Sequence, residues 1–198
     1  GGTTASDSSG NALDGTYVND VTLGLPGALP GDADTAAQFD GADDYVQLPS
    51  GFADFTSGLT LEVWAYPAGL NDFERFFDLG RGPGSDNILL SRRGTTDALE
   101  LSILRGSSVV ATVEAPGVVE ANTWQHFAAT VDSDGTAVLY KNGAVIAEGH
   151  TALPNNVART SNFIGKSNWS SDAYYEGLMD EAAIYDRALP RPEIQSHY

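Results

Sequence analysis

Three carboxylates crowd the stretch FDGADDYVQLP (39–49), where Asp40, Asp43 and Asp44 surround Gly41 with no base nearby in sequence. Like charges at this spacing repel, so the cluster calls for a cation. Calcium takes ~6–8 oxygens from carboxylates, backbone carbonyls and water, and suits such a cluster better than magnesium with its strict octahedron. Zinc is disfavoured, because the chain has no cysteine and only His126, His150 and His197, far apart in sequence. The competing use of these acids is turn capping, in which Asp bonds its own backbone. Three acids within the five residues 40–44 are dense for that role alone.

A second chemistry belongs to two loops. Sugars are held by aromatic faces against C–H patches and by planar polar groups reaching hydroxyls. The loop LGRGPGSDNILLSRRG (79–94) carries Arg81, Asp86, Asn87, Arg92 and Arg93, a basic island in an acidic chain. The loop KSNWSSDAYYEG (166–177) carries Asn168, Trp169, Asp172, Tyr174 and Tyr175. Arg81, Asp86, Asn87, Arg92, Asn168, Trp169 and Tyr174 are therefore the candidate ligand-binding residues. Two plainer readings stand beside this one: the island pairs with nearby acids, and Trp169 serves the loop's own structure. Trp64 and Trp124 lie in strand-like runs and are assigned to sheet packing.

Catalytic signatures are missing. Hydrolysis of glycosidic bonds uses paired carboxylates, which on a sheet means acids at alternate positions of one strand. LELSIL holds only Glu100, LEVWAY only Glu62, and MDEAA sets Asp180 and Glu181 side by side, on opposite faces of a regular strand. No G-x-S-x-G elbow occurs, GRGPGSDN precedes no helix, and His126 in WQHFAAT reads as a packed structural histidine. The expectation is a binding module rather than an enzyme.

These residues must be carried by strands. Short runs rich in Val, Ile, Leu, Thr, Phe and Tyr alternate with Gly, Asp, Asn, Ser and Pro. The clearest span 45–48, 58–66, 74–80, 87–92, 98–105, 108–115, 123–132, 136–143, 144–150, 162–167 and 178–189. Asp134-Gly135 and Asn142-Gly143 are hairpin turns that join three of them into a meander. The tail RALPRPEIQSHY has room for one helical turn at most. With no long linker and no repeat, residues 1–198 are read as one all-β domain, a two-sheet antiparallel β-sandwich. Its abrupt polar beginning reads as a segment of a longer polypeptide.

Charge narrows the partners. Twenty-seven acids against 10 bases give a net charge of −17, which opposes nucleic acid and anionic membranes. No apolar run approaches the ~20 residues of a membrane span. Solubility in a salty medium and binding of divalent cations both account for the excess of acids.

FDGADDYVQLP, LTLEVWAYP, TWQHFAATVD, VLYKNGAVIAEG, NFIGKSN and GLMDEAAIYDRAL follow one another at spacings that resemble the laminin G-like, concanavalin A-like lectin/glucanase domains. DSSGNALDGTY is similar to the entry of bacterial members. The resemblance covers essentially the whole chain. It implies a jelly-roll sandwich, with one structural calcium ion where the two ends of the chain meet. On that resemblance Asp180 and the carbonyl of Gly41 are ligands, with Asp40 and Asp43 as companions and Asp7 as a further candidate. The expected function is a non-catalytic, calcium-containing, carbohydrate-binding or adhesive module of a secreted or cell-surface protein. Its composition resembles domains of large bacterial adhesins. Its partners would be a glycan or glycosylated surface and other domains of the same polypeptide. The alternatives are a spacer or protein-interaction domain, and an accessory module of a polysaccharide-degrading enzyme.

Overall fold

Alternation of apolar and polar residues gives every strand two unlike faces, and two such sheets close on their apolar sides. The computed structural model describes residues 3–31 and 33–198. One sheet has eight strands in the spatial order β1 (Thr4–Ala5), β2 (Gly15–Val18), β5 (Tyr45–Leu48), β14 (Ser161–Ile164), β7 (Arg75–Gly80), β8 (Ile88–Arg92), β9 (Leu99–Arg105) and β10 (Ser108–Ala115). The other has seven, ordered β13 (Ala144–His150), β12 (Thr136–Lys141), β11 (Gln125–Asp132), β6 (Gly58–Pro67), β15 (Glu176–Tyr185), β4 (Thr35–Asp40) and β3 (Thr22–Pro26). All neighbours run antiparallel. The expected all-β sandwich is the observed fold.

Leu59, Leu61 and Val63 of β6 and Phe127, Ala129 and Val131 of β11 form the core with Leu79, Ile88, Leu90, Leu101 and Ile103 of the opposite sheet. Burying each such side chain contributes about 1.5–3 kcal/mol. The meander is as expected, with β11, β12 and β13 joined by tight turns. Asn142 and Gly143 both sit at positive φ, 52° and 70°, the pattern of a type I′ hairpin turn.

The tail departs from expectation. A seven-residue helix α1 (Arg191–His197), about two turns, follows β15. Proline in its first turn presets the helical φ. Ile194 and Leu189 are then buried against Ala128 and Tyr140 on the outer face of the seven-stranded sheet. That contact holds a helix too short to persist alone. It also explains why β6 is buried nearly throughout: its inner face meets the core, and its outer face lies against the tail.

Beneath the tail, Glu62 is 3% exposed. Its Oε1 lies 2.9 Å from His197 Nδ1, and its Oε2 lies 3.7 Å from His126 Nε2. Burial alone would raise the Glu62 carboxyl. The neighbouring His126, Tyr185 and His197 side chains outweigh burial and leave it below the usual range. Trp64 is capped by Tyr198, with ring centres 5.6 Å apart. His126 is 2% exposed, packed as expected. Among the described residues, no helix is long and apolar enough to cross a membrane.

Candidate functional site

The second loop grows from the end of β14. Gly165 turns the chain at φ 80°, and residues 166–174 then lie over the outer face of the eight-stranded sheet. The cross-strand row Gln47–Phe163–Asp78–Leu89–Ser102 marks that face. Asp78 anchors the loop. Its Oδ2 accepts the Asn168 backbone N–H, and its Oδ1 accepts the side-chain amides of Asn168 and Asn87, each at 2.8 Å. Burial pushes this carboxyl up, and the three N–H donors work against that rise.

Further along, Asp172 accepts Arg75 Nη2 and Ser167 Oγ, both at 2.7 Å. The Arg75 guanidinium sits 5.6 Å from the Phe73 ring centre and 5.8 Å from that of Trp169. Tyr175 closes the loop as a fully buried plug, with its hydroxyl donating to Leu178 O at 3.0 Å. Trp169 is therefore flanked by the Arg75 guanidinium, with its backbone N–H donating to Ser167 Oγ at 3.1 Å and its carbonyl accepting Asp172 N–H at 3.2 Å.

A cavity of about 360 Å³ opens between this loop and the Gly82-Pro83 turn, lined by Phe163, Lys166, Asn168, Trp169, Asp172 and Tyr174 among others. That is near the lower end for small-ligand sites, ~300–1,000 Å³. Lys166 places its ammonium 4.0 Å from the Tyr45 ring centre, 4.7 Å from Phe163 and 5.9 Å from Tyr174. Tyr45 meets Phe163 edge-on at 5.5 Å. Rings for sugar faces, an ammonium and amides for oxygens are thus gathered in one place.

Of the candidate ligand residues, Trp169, Tyr174 and Asn168 line this cavity. Arg81 is exposed near its rim, 3.8 Å from Asp86. Asp86, Asn87 and Arg92 are corrected. They are 5%, 0% and 0% exposed, and no ligand reaches them. Asp86 accepts Gly106 N–H at 2.7 Å and Asn155 Nδ2 at 2.8 Å, Asn87 serves Asp78, and Arg92 pairs with Glu74 at 3.0 Å, with neither side chain exposed. Arg93 reaches Glu100 and Glu114. The island pairs with acids, as the plainer reading had it. Lys166, Phe163 and Tyr45 were missed. The sequence signal was the alternation that turns Tyr45 and Phe163 away from the core, beside a lysine with no acid for five residues on either side.

One buried cation outside the cavity also escaped sequence reasoning. Arg159, fully buried, donates to the carbonyls of Asp86 at 2.9 Å, Phe52 at 2.7 Å and Asn155 at 3.2 Å. Burial brings its guanidinium down to about 10, against the pull of Asp86.

The carboxylates form two groups instead of one. Asp40, Asp43 and Asp44 bring oxygens within 4.8 Å of one another, and so, separately, do Asp34, Asp180 and Glu181. Asp40 pairs with Glu176 and Ala37 with Met179, which places Asp180 four positions along, about 13 Å from Asp40 at ~3.3 Å per residue. Ligands of one calcium ion lie at most about 5 Å apart, given ~2.3–2.6 Å bonds, so no single ion joins Asp180 to Asp40, Gly41 and Asp43. The adjacent acids Asp180 and Glu181 do not face opposite ways either. A register shift breaks β15 between Asp180 and Ala183, with Glu181 at φ 47°, and turns both into one group. Asp7 stays local, accepting the N–H groups of Ser9 and Leu13 at 2.9 Å each.

Within the first group, Asp40 Oδ1 accepts Ala42 N–H at 2.8 Å and Asp43 N–H at 3.3 Å. Those bonds hold its carboxyl low. Asp44 is 2% exposed and its Oδ1 has no hydrogen-bond partner among the described residues. Burial, then the Asp40 charge, pushes its carboxyl up. A buried acceptor left unpaired beside two carboxylates fits a cation, and calcium fits the all-oxygen donor set.

Residues 40–195 match the profile of the concanavalin A-like lectin/glucanases superfamily. The chain belongs to that superfamily. Among curated proteins, an alpha-L-arabinofuranosidase of Bifidobacterium longum subsp. longum is 32% identical over 65 residues, which is 32% of this chain and 6% of that enzyme. The chain thus spans a small part of that relative's length. Domain 4 of AbnA, a GH43 extracellular arabinanase from Geobacillus stearothermophilus solved with arabinotriose, superposes with a TM-score of 0.74 at 21% identity, covering 95% of this chain and 90% of that one. The CBM40 of Ruminococcus gnavus IT-sialidase, bound to alpha2,3 sialyllactose, gives 0.61 at 14% identity over 81% and 97% of the two chains. The binding domain of botulinum neurotoxin DC, in complex with SialylT, gives 0.71 at 12% identity over 96% and 47%. At these identities the superfamily likeness speaks for the sandwich itself.

Proposed function

We propose that this domain is a non-catalytic carbohydrate-binding module, and that its glycan occupies the cavity bounded by Trp169, Tyr174, Phe163 and Lys166. The observation that carries the reading is an aromatic-lined cavity whose loop is fixed by Asp78, Asp172 and Tyr175 before any ligand arrives. Such preorganisation removes ordering costs from binding. Of the carboxylates on the same face, Glu100 and Glu114 are both engaged by Arg93, Asp172 by Arg75 and Ser167, and Asp78 by Asn87 and Asn168, which places them poorly to act as an acid and a nucleophile.

Of the settings considered, an accessory module of a secreted polysaccharide-degrading enzyme is favoured over an adhesin. The support is the likeness to segments of an arabinofuranosidase and an arabinanase. Calcium is proposed as a structural ion at Asp40, Asp43 and Asp44; Asp180, with Asp34 and Glu181, forms the second group to be tested. Titration calorimetry against arabinotriose, lactose and sialyllactose tests the function. Binding to at least one of them, lost in Trp169→Ala at unchanged melting temperature, is the expected result. Binding that survives Trp169→Ala would move the site elsewhere, and binding to no sugar at millimolar concentration would leave the spacer reading.

A further inference from the structure

Among the described residues, six of the ten Lys and Arg side chains have a carboxylate within 4.0 Å: Arg75, Arg81, Arg92, Arg93, Lys141 and Arg187. Arg105 and Arg159 donate to backbone carbonyls, and Arg191 stands exposed on α1. Lys166 differs from all of them. It is half-buried on the cavity wall, among three aromatic rings, with no carboxylate and no hydrogen-bond acceptor among the described residues. The acid that lines the same cavity, Asp172, is already taken by Arg75 and Ser167.

In a chain of net charge −17, an unpaired cation facing a cavity is a local reversal of sign. An ammonium offers three donors and no acceptor. The rings attract its charge through their faces but accept none of its N–H bonds in the ordinary sense. Its N–H groups are thus left for the oxygens of a ligand. A neutral sugar supplies hydroxyl oxygens yet leaves the charge uncompensated once water is displaced. A carboxylate supplies both oxygens and charge, at shorter and stronger contacts.

We infer that the cavity is selective for a carboxylate-bearing glycan, a uronate or sialate unit, with Lys166 as the counter-charge. This inference rests on the carbohydrate-binding reading above, and its test separates the two. Each probe pair shares a scaffold and differs in charge: sialyllactose against lactose, and trigalacturonate against its carboxyl-reduced form. The carboxylated member is expected to bind at least about tenfold tighter, a difference of ~1.4 kcal/mol. Lys166→Met should erase that preference, whereas Lys166→Arg, which keeps the charge, should preserve it.

Raising salt from about 50 to 500 mM should narrow the gap in the wild-type protein, because the added charge contact is screened. Neutral members that bind as tightly as charged ones, or a gap indifferent to salt, would overturn the inference and leave carbohydrate binding standing. If Lys166→Met proves unstable, the salt series alone decides. Failure of every sugar, neutral or charged, would overturn both readings.

Discussion

The two outer faces of the sandwich carry the same kinds of residue and put them to opposite use. On the seven-stranded sheet, Trp64, His126 and Glu62 lie under the chain's own tail, with Tyr198 stacked on Trp64 and His197 against Glu62. On the eight-stranded sheet, Phe163, Trp169 and Lys166 stand around an open cavity, with the Tyr45 ring packed against Lys166 and Phe163. Aromatics beside charges do not make a binding site by themselves. What separates the faces is whether the protein already supplies the occupant.

The largest expected effect falls on the covered face. Trp64→Ala should cost about 3–5 kcal/mol of stability, as for other buried large aromatics, read by urea unfolding, with sugar binding intact wherever the protein is folded. Loss of sugar binding in a folded Trp64→Ala protein would reverse the assignment of the two faces. Trp169→Ala should do the opposite. It should weaken glycan binding by about 2 kcal/mol, roughly thirtyfold, as expected of a central aromatic contact, while shifting the melting temperature little.

Calcium provides a third test, away from both faces. At a hundredfold excess over its dissociation constant, a native-only ion adds about 2.7 kcal/mol. A chelator should lower the melting temperature accordingly. Asp44→Asn should remove that sensitivity if the first group holds the ion, and Asp180→Asn if the second does. Insensitivity of the wild type to chelation would sink both. The affinity should also fall with pH from above the ordinary aspartate range, because the Asp44 carboxyl is raised and its proton competes with the ion.

The smallest effect returns to the covered face. The Glu62 carboxyl lies below its usual value when folded, so its contribution is present above the unfolded pKa and lost as pH falls through the folded one. Glu62→Gln should therefore flatten the acid limb of stability below about pH 4.5, with little change in glycan affinity. An unchanged acid limb would remove the His197–Glu62 contact from the account of the tail.

Much of this was legible in the sequence, and the failures share a cause. Strands from β5 onward followed from alternation and from the Asn142 turn, because local pattern decides them. The short strands β1 to β4, two to six residues long, were not among the clear ones, since they are held by distant partners more than by their own composition. The tail helix was underestimated for the same reason: Ile194 earns its burial from Ala128 and Tyr140. At the candidate site, Trp169 and Tyr174 stood out as aromatics in a polar loop. Asp86, Asn87 and Arg92 looked equally exposed in one dimension. Only the fold brings Asp78, Glu74 and Arg159 close enough to bury them. Likewise, the single acidic clamp became two groups once strand register placed Asp180 and Asp40 at different heights.

Arg159 shows what that burial provides. Its guanidinium gathers carbonyls from the segments at residues 52, 86 and 155, much as a metal ion would, but it is covalently part of the chain. No chelator removes it, and its charge persists until the pH nears about 10. These segments, one of them next to the Gly82-Pro83 turn at the cavity, are thus tied by a cation that cannot be diluted away. Their positions should survive calcium-poor surroundings even where the melting temperature does not.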